Sequence, residues 1–312
     1  MYTQRTSAYQ VWSAGAKRLR LVAILLLFLL VPVVLWSAPG ESTAPVDVLE
    51  LESQVFDNKR KIRVLLPEDY ADPANQSRHY PALYLNDGQN LFDASTALFG
   101  TEEWQVDETV RRMVAAGEIP PLIVIGIDNA GRQGRAYEYL PYPDVFLDPP
   151  VQEPAGSMYP DFLELELIPF IESRYRVIAD AGSRTLGGSS YGALIALHTA
   201  ISRPALFSGL LLESPSFYVD ENHVLKDAEA ANLKLDRVYL GVGTNELALD
   251  GCPEHPGNSE AVSGVRILAA ILEDIGMDEG HVLVNIEECA EHAESAWARR
   301  FPVALDHLYG GL

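Results

Sequence analysis

Residues 184–200, "RTLGGSSYGALIALHTA", place two adjacent serines between glycines, after one apolar run and before another. One frame fits the pattern G-x-S-x-G, namely residues 188–192. In this pattern the central serine lies on a strained strand-to-helix turn, and small residues on either side let the backbone pass without a clash. Ser190 is therefore the candidate nucleophile and Ser189 a spacer. The alternative is an ordinary turn whose serine caps a helix.

Short apolar segments alternate with helical patterns on both sides of this motif. Strands are predicted for "VDVLELESQVF", "RKIRVLLP", "HYPALYLND", "PLIVIGID", "SRTLGGS", "FSGLLLES", "LDRVYLGVG" and "HVLVNIEE". Helices are predicted for "DETVRRMVAAG", "MYPDFLELELIPFIESRYR" and "YGALIALHTAISR", and for residues 260–275 and 292–308. Nearly continuous apolar strands that alternate with helices indicate an α/β fold, in which a mostly parallel sheet carries helices on both faces.

The composition bounds the size of the fold and the kind of partner. The chain has 312 residues, of which 48% are hydrophobic, enough to bury the core of one large α/β domain. The formal net charge is −21, and because residues 1–38 hold four basic residues and no acidic one, the remainder carries −25. Such an acidic body repels phosphate backbones, so no nucleic-acid partner is expected.

The N-terminal segment differs from the rest of the chain. Lys17, Arg18 and Arg20 precede an apolar run at residues 21–36, a pattern typical of export signals. The run is long for a signal peptide and short for a full span. Residues 1–38 are therefore predicted to be either a signal peptide or a retained membrane anchor with its basic end inside. The alternative, a buried core helix, is disfavoured because the run lacks a polar face.

This segment also predicts the location and layout of the protein. Export places it in the periplasm or outside the cell, either free or anchored in the membrane by residues 21–36. Residues 39–46 form a linker in this interpretation, and residues 47–312 form the catalytic domain.

A nucleophilic serine needs a general base, and the base needs an orienting acid. After this kind of turn the acid and then the histidine follow along the chain. His292, just after the last predicted strand, is the best placed of the seven histidines. The acid should follow the preceding strand, where Glu246 lies nearer the strand end than Asp250. Glu213, at the end of the strand "FSGLLLES", is a further candidate.

Stabilisation of an oxyanion requires two backbone N–H groups. One should belong to Tyr191, which follows the nucleophile. The other should come from the loop "NDGQNLFD", in which Gly88 or Gln89 is placed to donate. The alternative for this loop is an ordinary turn rich in Asn, Asp and Gly.

Several segments together resemble a known family. They are "YLNDGQNLFD", "GIDNAGRQGRAYEYLPY", "ELIPFIESRYRV", "GGSSYGALIAL", "ESPSFY" and "HAESAWARRFPVALDHLY". In this order they resemble the esterase D-like family of the α/β-hydrolase superfamily, which includes feruloyl, acetyl-xylan and enterochelin esterases. The resemblance covers about residues 47–310. One departure is Ala193, where members often carry a second glycine after the turn.

The resemblance implies a Ser–acid–His hydrolase that works through an acyl-enzyme and without a cofactor. The family's serine falls on Ser190, its histidine on His292 and its acid on Glu246, and its oxyanion loop points to Gln89. The run R-x-x-E-Y at residues 135–139 also matches and is interpreted as support for the active-site wall. The family segment that lines the pocket falls on Ser214, Pro215, Ser216 and Phe217.

The two cysteines flank the candidate acid and base. Cys252 lies six residues after Glu246, and Cys289 lies three residues before His292. In this architecture the two loops meet beside the serine, and export places them in an oxidising compartment, so a Cys252–Cys289 disulfide is predicted. Two C-x-x-H pairs offer zinc ligation as a rival, but ligation by His292 would remove the general base. Two unpaired buried thiols are the third alternative.

Two other functions compete with ester hydrolysis on this fold. An acyltransferase would pass the acyl group to a sugar instead of water, and a non-catalytic binding protein would not react with fluorophosphonates. The expected substrate is a small ester, on a carbohydrate or a siderophore, and no metal is expected.

Overall fold

The computed structural model describes residues 46–98, 100–248, 251–252 and 259–311, which belong to one compact unit, Thr43–Leu312. The predicted signal peptide or anchor at residues 1–38, with its apolar run, lies outside the described residues, as does the predicted linker except for Val46. Asp250 and His255 lie outside them as well. Among the helices that the structure describes, none is both long and apolar enough to cross a bilayer.

An eight-stranded sheet runs through the described part of the chain. Its strands are β1 (Asp47–Ser53), β2 (Asn58–Leu65), β3 (Ala82–Asn86), β4 (Ile123–Ile127), β5 (Arg184–Ser189), β6 (Gly209–Glu213), β7 (Arg237–Gly243) and β8 (Val282–Glu287). They are ordered β1-β2-β4-β3-β5-β6-β7-β8. The β1–β2 and β2–β4 pairs are antiparallel, and all pairs from β4 to β8 are parallel. The predicted, mostly parallel α/β-hydrolase sheet is confirmed.

Helices cover both faces of the sheet. The α-helices are α1 (Val106–Ala116), α2 (Gly131–Tyr139), α3 (Tyr159–Phe162), α4 (Ile168–Glu172), α5 (Tyr191–Ser202), α6 (His223–Ala230), α7 (Glu260–Asp274) and α8 (Glu294–Tyr309). A π-helical segment, Leu163–Leu167, joins α3 to α4. It interrupts the single long helix that the apolar periodicity predicts there.

The pleat of the strands divides the core in two. In β3, Ala82 and Tyr84 belong to one buried cluster, whereas Leu83 and Leu85 belong to the other. Helices α5 and α7 contribute to the first cluster, and α1 and α8 to the second. Because successive side chains of a strand point to opposite faces, a strand covered on both faces is apolar throughout.

Two helices are absent from the sequence-based prediction. Helix α2 has the sequence "GRQGRAYEY", with two glycines and no apolar stripe, and α6 is eight residues long. Their stability comes from tertiary contacts of a few buried side chains, among them Tyr139 of α2 and Val224 and Leu225 of α6.

The parallel strands gather the candidate site at one edge of the sheet. The carboxyl ends of parallel strands point the same way, and ligand sites of open α/β sheets lie there. The loops that follow β3, β5, β6, β7 and β8 carry Gln89, Ser190, Ser214, Glu246 and His292 respectively.

Candidate active site

Ser190 occupies the sharp turn between β5 and α5. Its backbone has φ 57° and ψ −125°, a conformation that a side-chain-bearing residue rarely adopts, so the turn is strained. The Ser190 N–H is anchored by a 3.0 Å hydrogen bond to the Glu213 carbonyl of the next strand. A Cβ on Gly188 would lie 2.9 Å from Asn86 Cβ and from the Gly192 carbonyl carbon. The glycine before the spacer is therefore required by close approach of the backbone, as the motif predicts.

The Ser190 hydroxyl points toward the loop after β6. Its Oγ lies 3.2 Å from the Ser216 Oγ, and either hydroxyl can donate. Within the described ranges Ser216 is the one hydrogen-bond partner of this hydroxyl.

His292 and Glu246 form a pair at the same edge of the sheet. The imidazole Nδ1 of His292 lies 2.6 Å from Oε2 of Glu246. The imidazole is 36% exposed and the carboxylate side chain only 8%. A buried acid bound to Nδ1 leaves Nε2 directed outward, which is how an orienting carboxylate prepares a general base.

The environment of Glu246 keeps its carboxylate charged. Burial raises the pKa of the Glu246 carboxyl, but the hydrogen bond and charge of His292, together with the Ser214 and Gly243 hydrogen bonds, outweigh it. The resulting pKa lies below the usual value for glutamate. The Ser214 hydroxyl donates to Oε1 at 2.7 Å and the Gly243 N–H at 2.6 Å. Glu246 thus accepts hydrogen bonds on both oxygens.

The other acid candidates lie elsewhere. Glu213 is fully buried and forms an ion pair with Arg300, whose Nη2 lies 2.6 Å from its Oε2. Its carboxylate accepts hydrogen bonds from Arg300 of α8. Within the described residues it forms no hydrogen bond with His292. Asp250 lies outside the residues that the structure describes.

Gln89 lies in the loop after β3, and Tyr191 is the first residue of α5, directly after Ser190. Their role as oxyanion donors stays a prediction. Gln89 lies two residues after Asp87, whose left-handed backbone (φ 61°) turns the chain into a short 3₁₀ helix. A Cβ on Gly88 would lie 2.6 Å from the Gly126 carbonyl carbon, so the loop needs glycine there. Neither the Gln89 nor the Tyr191 backbone N–H has a hydrogen-bond acceptor elsewhere in the ranges the structure describes.

An arginine from α2 holds the oxyanion loop. Arg135 binds the Asp87 carboxylate through two hydrogen bonds, Nε to Oδ1 at 2.9 Å and Nη2 to Oδ2 at 2.7 Å. Its Nη2 also approaches the Ser189 carbonyl at 3.4 Å. The Tyr139 hydroxyl accepts from the Asp87 N–H at 3.2 Å. The run at residues 135–139 therefore positions the loop that carries Gln89, through its hydrogen bonds to Asp87.

The four predicted pocket residues separate into distinct roles. The Ser216 hydroxyl contacts the Ser190 hydroxyl, and the Ser214 hydroxyl donates to Glu246. Pro215 is buried between them. Phe217 is 2% exposed and belongs to the core, where it packs beneath Gly264 of α7. Its side chain therefore contributes to packing and not to an open pocket.

The structure joins the Sγ atoms of Cys252 and Cys289 in a disulfide. This pairing links the loop that carries Glu246 to the loop that carries His292. The cysteines also cluster with Glu288, with ligand atoms within 4.8 Å of one another. Zinc ligation would need both sulfurs as thiolates, which a disulfide does not provide. His255, a ligand in the zinc alternative, lies outside the described residues.

Sequence reasoning missed several polar residues of α8. Trp297 Nε1 and Arg300 Nη2 donate to the Ser214 hydroxyl at 2.9 and 3.3 Å. Glu294 Oε1 accepts from Asn90 Nδ2 at 3.2 Å, which connects the histidine loop to the oxyanion loop. Glu294, Trp297 and Arg300 are spaced three residues apart along a predicted helix, which places them on one face. This spacing, just after His292, could have indicated them.

Comparison with known proteins places the chain in a family. The family described as "Putative esterase" matches residues 53–308. The chain is 25% identical over 255 residues to an uncharacterized protein of Bacillus subtilis, YbbA, with 80% of this chain and 93% of that protein covered. It is 27% identical over 199 residues to the siderophore triacetylfusarinine C esterase of Aspergillus fumigatus, with 61% and 64% covered.

Solved structures with this fold include two from bacteria. The enterobactin esterase from Shigella flexneri has a TM-score of 0.62 and 18% identity, with 85% of this chain and 59% of that chain covered. The BES protein from Bacillus cereus has a TM-score of 0.64 and 22% identity, with 86% and 95% covered. The chain thus spans less than two thirds of the Aspergillus and Shigella esterases. These structural likenesses show the fold.

The parallel sheet and the strained serine turn define an α/β hydrolase. Since the family match covers most of the chain, the chain belongs to the "Putative esterase" family, and its class of activity is carboxylic ester hydrolysis.

Proposed function

We propose that the chain hydrolyses its ester through a triad of Ser190, Glu246 and His292. The observation that carries the proposal is the 2.6 Å contact between His292 Nδ1 and Glu246 Oε2, at the sheet edge where Ser190 occupies its strained turn. This order of serine, acid and histidine along the chain matches the chain order of α/β-hydrolase triads.

The reaction proceeds in two acyl-transfer steps. The Ser190 Oγ attacks the ester carbonyl carbon while His292 Nε2 takes its proton. The carbonyl oxygen becomes an oxyanion, which the Gln89 and Tyr191 N–H groups stabilise. The tetrahedral intermediate collapses, and the alcohol leaves with the proton from His292. Water then attacks the acyl-enzyme by the same route, which releases the acid and restores the Ser190 hydroxyl.

The substrate is a small ester that meets the enzyme outside the cytoplasm. Relatives named as siderophore esterases support a siderophore ester as the first substrate to test. A solved ferulic acid esterase of the same fold supports feruloylated sugars as the second. Export rests on the basic residues that precede the apolar run at residues 21–36, which is either cleaved or kept as an anchor.

A fluorophosphonate probe tests the nucleophile directly. The probe phosphonylates an activated serine with loss of fluoride, so we expect one equivalent to be incorporated and peptide mass spectrometry to place it on Ser190. A Ser190→Ala variant should incorporate none. Labelling of another residue, or of none in a folded protein, would contradict the triad. Product analysis with water and with added sugar as acceptors then separates hydrolysis from acyl transfer.

The Cys252–Cys289 disulfide belongs to the same proposal. The bond closes a loop with a sequence separation of 37 residues, and by the chain-entropy model such a loop adds about 4 kcal/mol to the free energy of unfolding. Thiol titration of the unfolded, unreduced protein should find no free thiol, and two after reduction. Two free thiols before reduction would contradict the disulfide, and metal analysis would then decide between bound zinc and inert cysteines.

A further inference from the structure

The first two turns of α8 reach two loops of the site from one face. Glu294, Trp297 and Arg300 are spaced three residues apart, so their side chains lie along the same side of the helix. Glu294 binds Asn90 of the oxyanion loop, while Trp297 and Arg300 bind Ser214. The helix that begins just after His292 therefore also contacts the loops after β3 and β6.

Ser214 is the junction between this helix and the proposed acid. Its hydroxyl donates to Glu246 Oε1 at 2.7 Å and accepts from Trp297 Nε1 at 2.9 Å and from Arg300 Nη2 at 3.3 Å. A hydroxyl has one hydrogen to donate and two lone pairs to accept with, so all of its capacity is used. Ser214 is 3% exposed, and its backbone has a positive φ of 42°. The three hydrogen bonds fix the direction in which the hydroxyl points.

The donors to Ser214 are themselves held in place. Arg300 is 2% exposed and is paired with Glu213, and its Nη1 lies 2.9 Å from Glu287 Oε2. The Trp297 ring lies edge-on to the His292 imidazole, with ring centroids 5.1 Å apart. The same tryptophan thus contacts the base through its ring and the acid through Ser214.

We infer that Ser214 is a positioning residue that sets the Glu246 carboxylate against His292. This inference rests on the proposed triad. With both acceptors and its hydrogen engaged, the Ser214 hydroxyl holds Glu246 Oε1 and leaves Oε2 free to receive His292 Nδ1. Removing the hydroxyl leaves the Gly243 N–H as the remaining donor to Oε1, so the carboxylate gains freedom to rotate away from the imidazole.

The test is the Ser214→Ala variant, assayed with an ester that the wild-type enzyme hydrolyses. We expect kcat to fall about tenfold or more with KM unchanged, because a hydrogen bond to a charged group is lost at a residue that is only 3% exposed. Ser214→Gly is the second variant, since glycine accepts the positive φ without strain and keeps the fold if alanine does not. Both variants should show the same fall in kcat.

Ser53→Ala is the matched control. Ser53 is also a buried serine, 1% exposed, whose hydroxyl donates to a glutamate, Glu166 Oε2, at 2.6 Å. It lies on β1, the edge strand of the sheet, four strands away from β5. We expect the thermal midpoint of Ser53→Ala to fall as much as that of Ser214→Ala. The kcat of Ser53→Ala should stay at the wild-type value. An equal kcat loss in both variants would reduce the role of Ser214 to general stability and overturn the inference.

A double variant separates this inference from the triad itself. If Ser214 acts through Glu246, the added loss from Ser214→Ala should disappear in a Glu246→Gln background. An undiminished added loss there would overturn the positioning role. If Glu246→Gln alone leaves kcat unchanged, the proposed triad fails. If Glu246→Gln is strongly impaired but Ser214→Ala and Ser214→Gly are not, the triad stands and this inference falls.

Discussion

Ser190→Ala should lose more than about 99% of the esterase activity. The variant removes the oxygen that forms the acyl-enzyme, while the oxyanion donors and the His292–Glu246 pair remain. What survives is the small catalysis that comes from binding and oxyanion stabilisation alone. The measurement is kcat/KM for a p-nitrophenyl ester, with circular dichroism to establish that the strained turn still folds. Alanine adopts the positive φ of 57° with a conformational strain similar to that of serine, since both carry a Cβ.

The neighbouring serine provides the control. Ser189 is 3% exposed and forms the last residue of β5, so Ser189→Ala changes the same turn without touching the proposed nucleophile. It should keep most of the activity. If Ser189→Ala is inactive and Ser190→Ala active, the frame of the motif is wrong and the nucleophile has to be reassigned.

Glu246→Gln should lower kcat by about a thousandfold. The wild-type carboxylate accepts from the Ser214 hydroxyl and the Gly243 N–H on Oε1, and from His292 Nδ1 on Oε2. An amide has one oxygen, so its NH2 group must face a donor on one side. If it faces His292 it selects the wrong imidazole tautomer, and if it faces Gly243 it leaves that N–H opposed by another donor.

Asp250→Asn makes the same chemical change in the same loop and should be mild. Steady-state kinetics of both variants, with melting temperatures to compare their folding, decide between them. A larger loss in Asp250→Asn would move the acid to Asp250. Mild and equal losses in both would point to Glu213, which the structure pairs with Arg300.

The pattern of elements was predictable because it is local. Strands β3, β4, β6 and β7 are short segments dominated by apolar residues and buried in the sheet, and helix α5 is apolar on nearly every side. Strand β5, RTLGGS, was predictable from the glycine motif at its end. Helix α2 was not predictable in the same way, since its sequence has no apolar stripe. It folds because Arg135, Glu138 and Tyr139 find buried partners elsewhere in the chain.

The sequence by itself determined the frame of the serine turn, the parallel sheet and the loops that carry the candidate acid and base. Those features follow from glycine spacing and from hydrophobic periodicity, which act over a few residues. Only the tertiary structure decided that Glu246 faces His292, 46 residues away, that Trp297 reaches Ser214 across 83 residues, and that Arg135 clamps Asp87 across 48. These contacts depend on which strands become neighbours and on the direction of buried side chains, and no local pattern of residues encodes either.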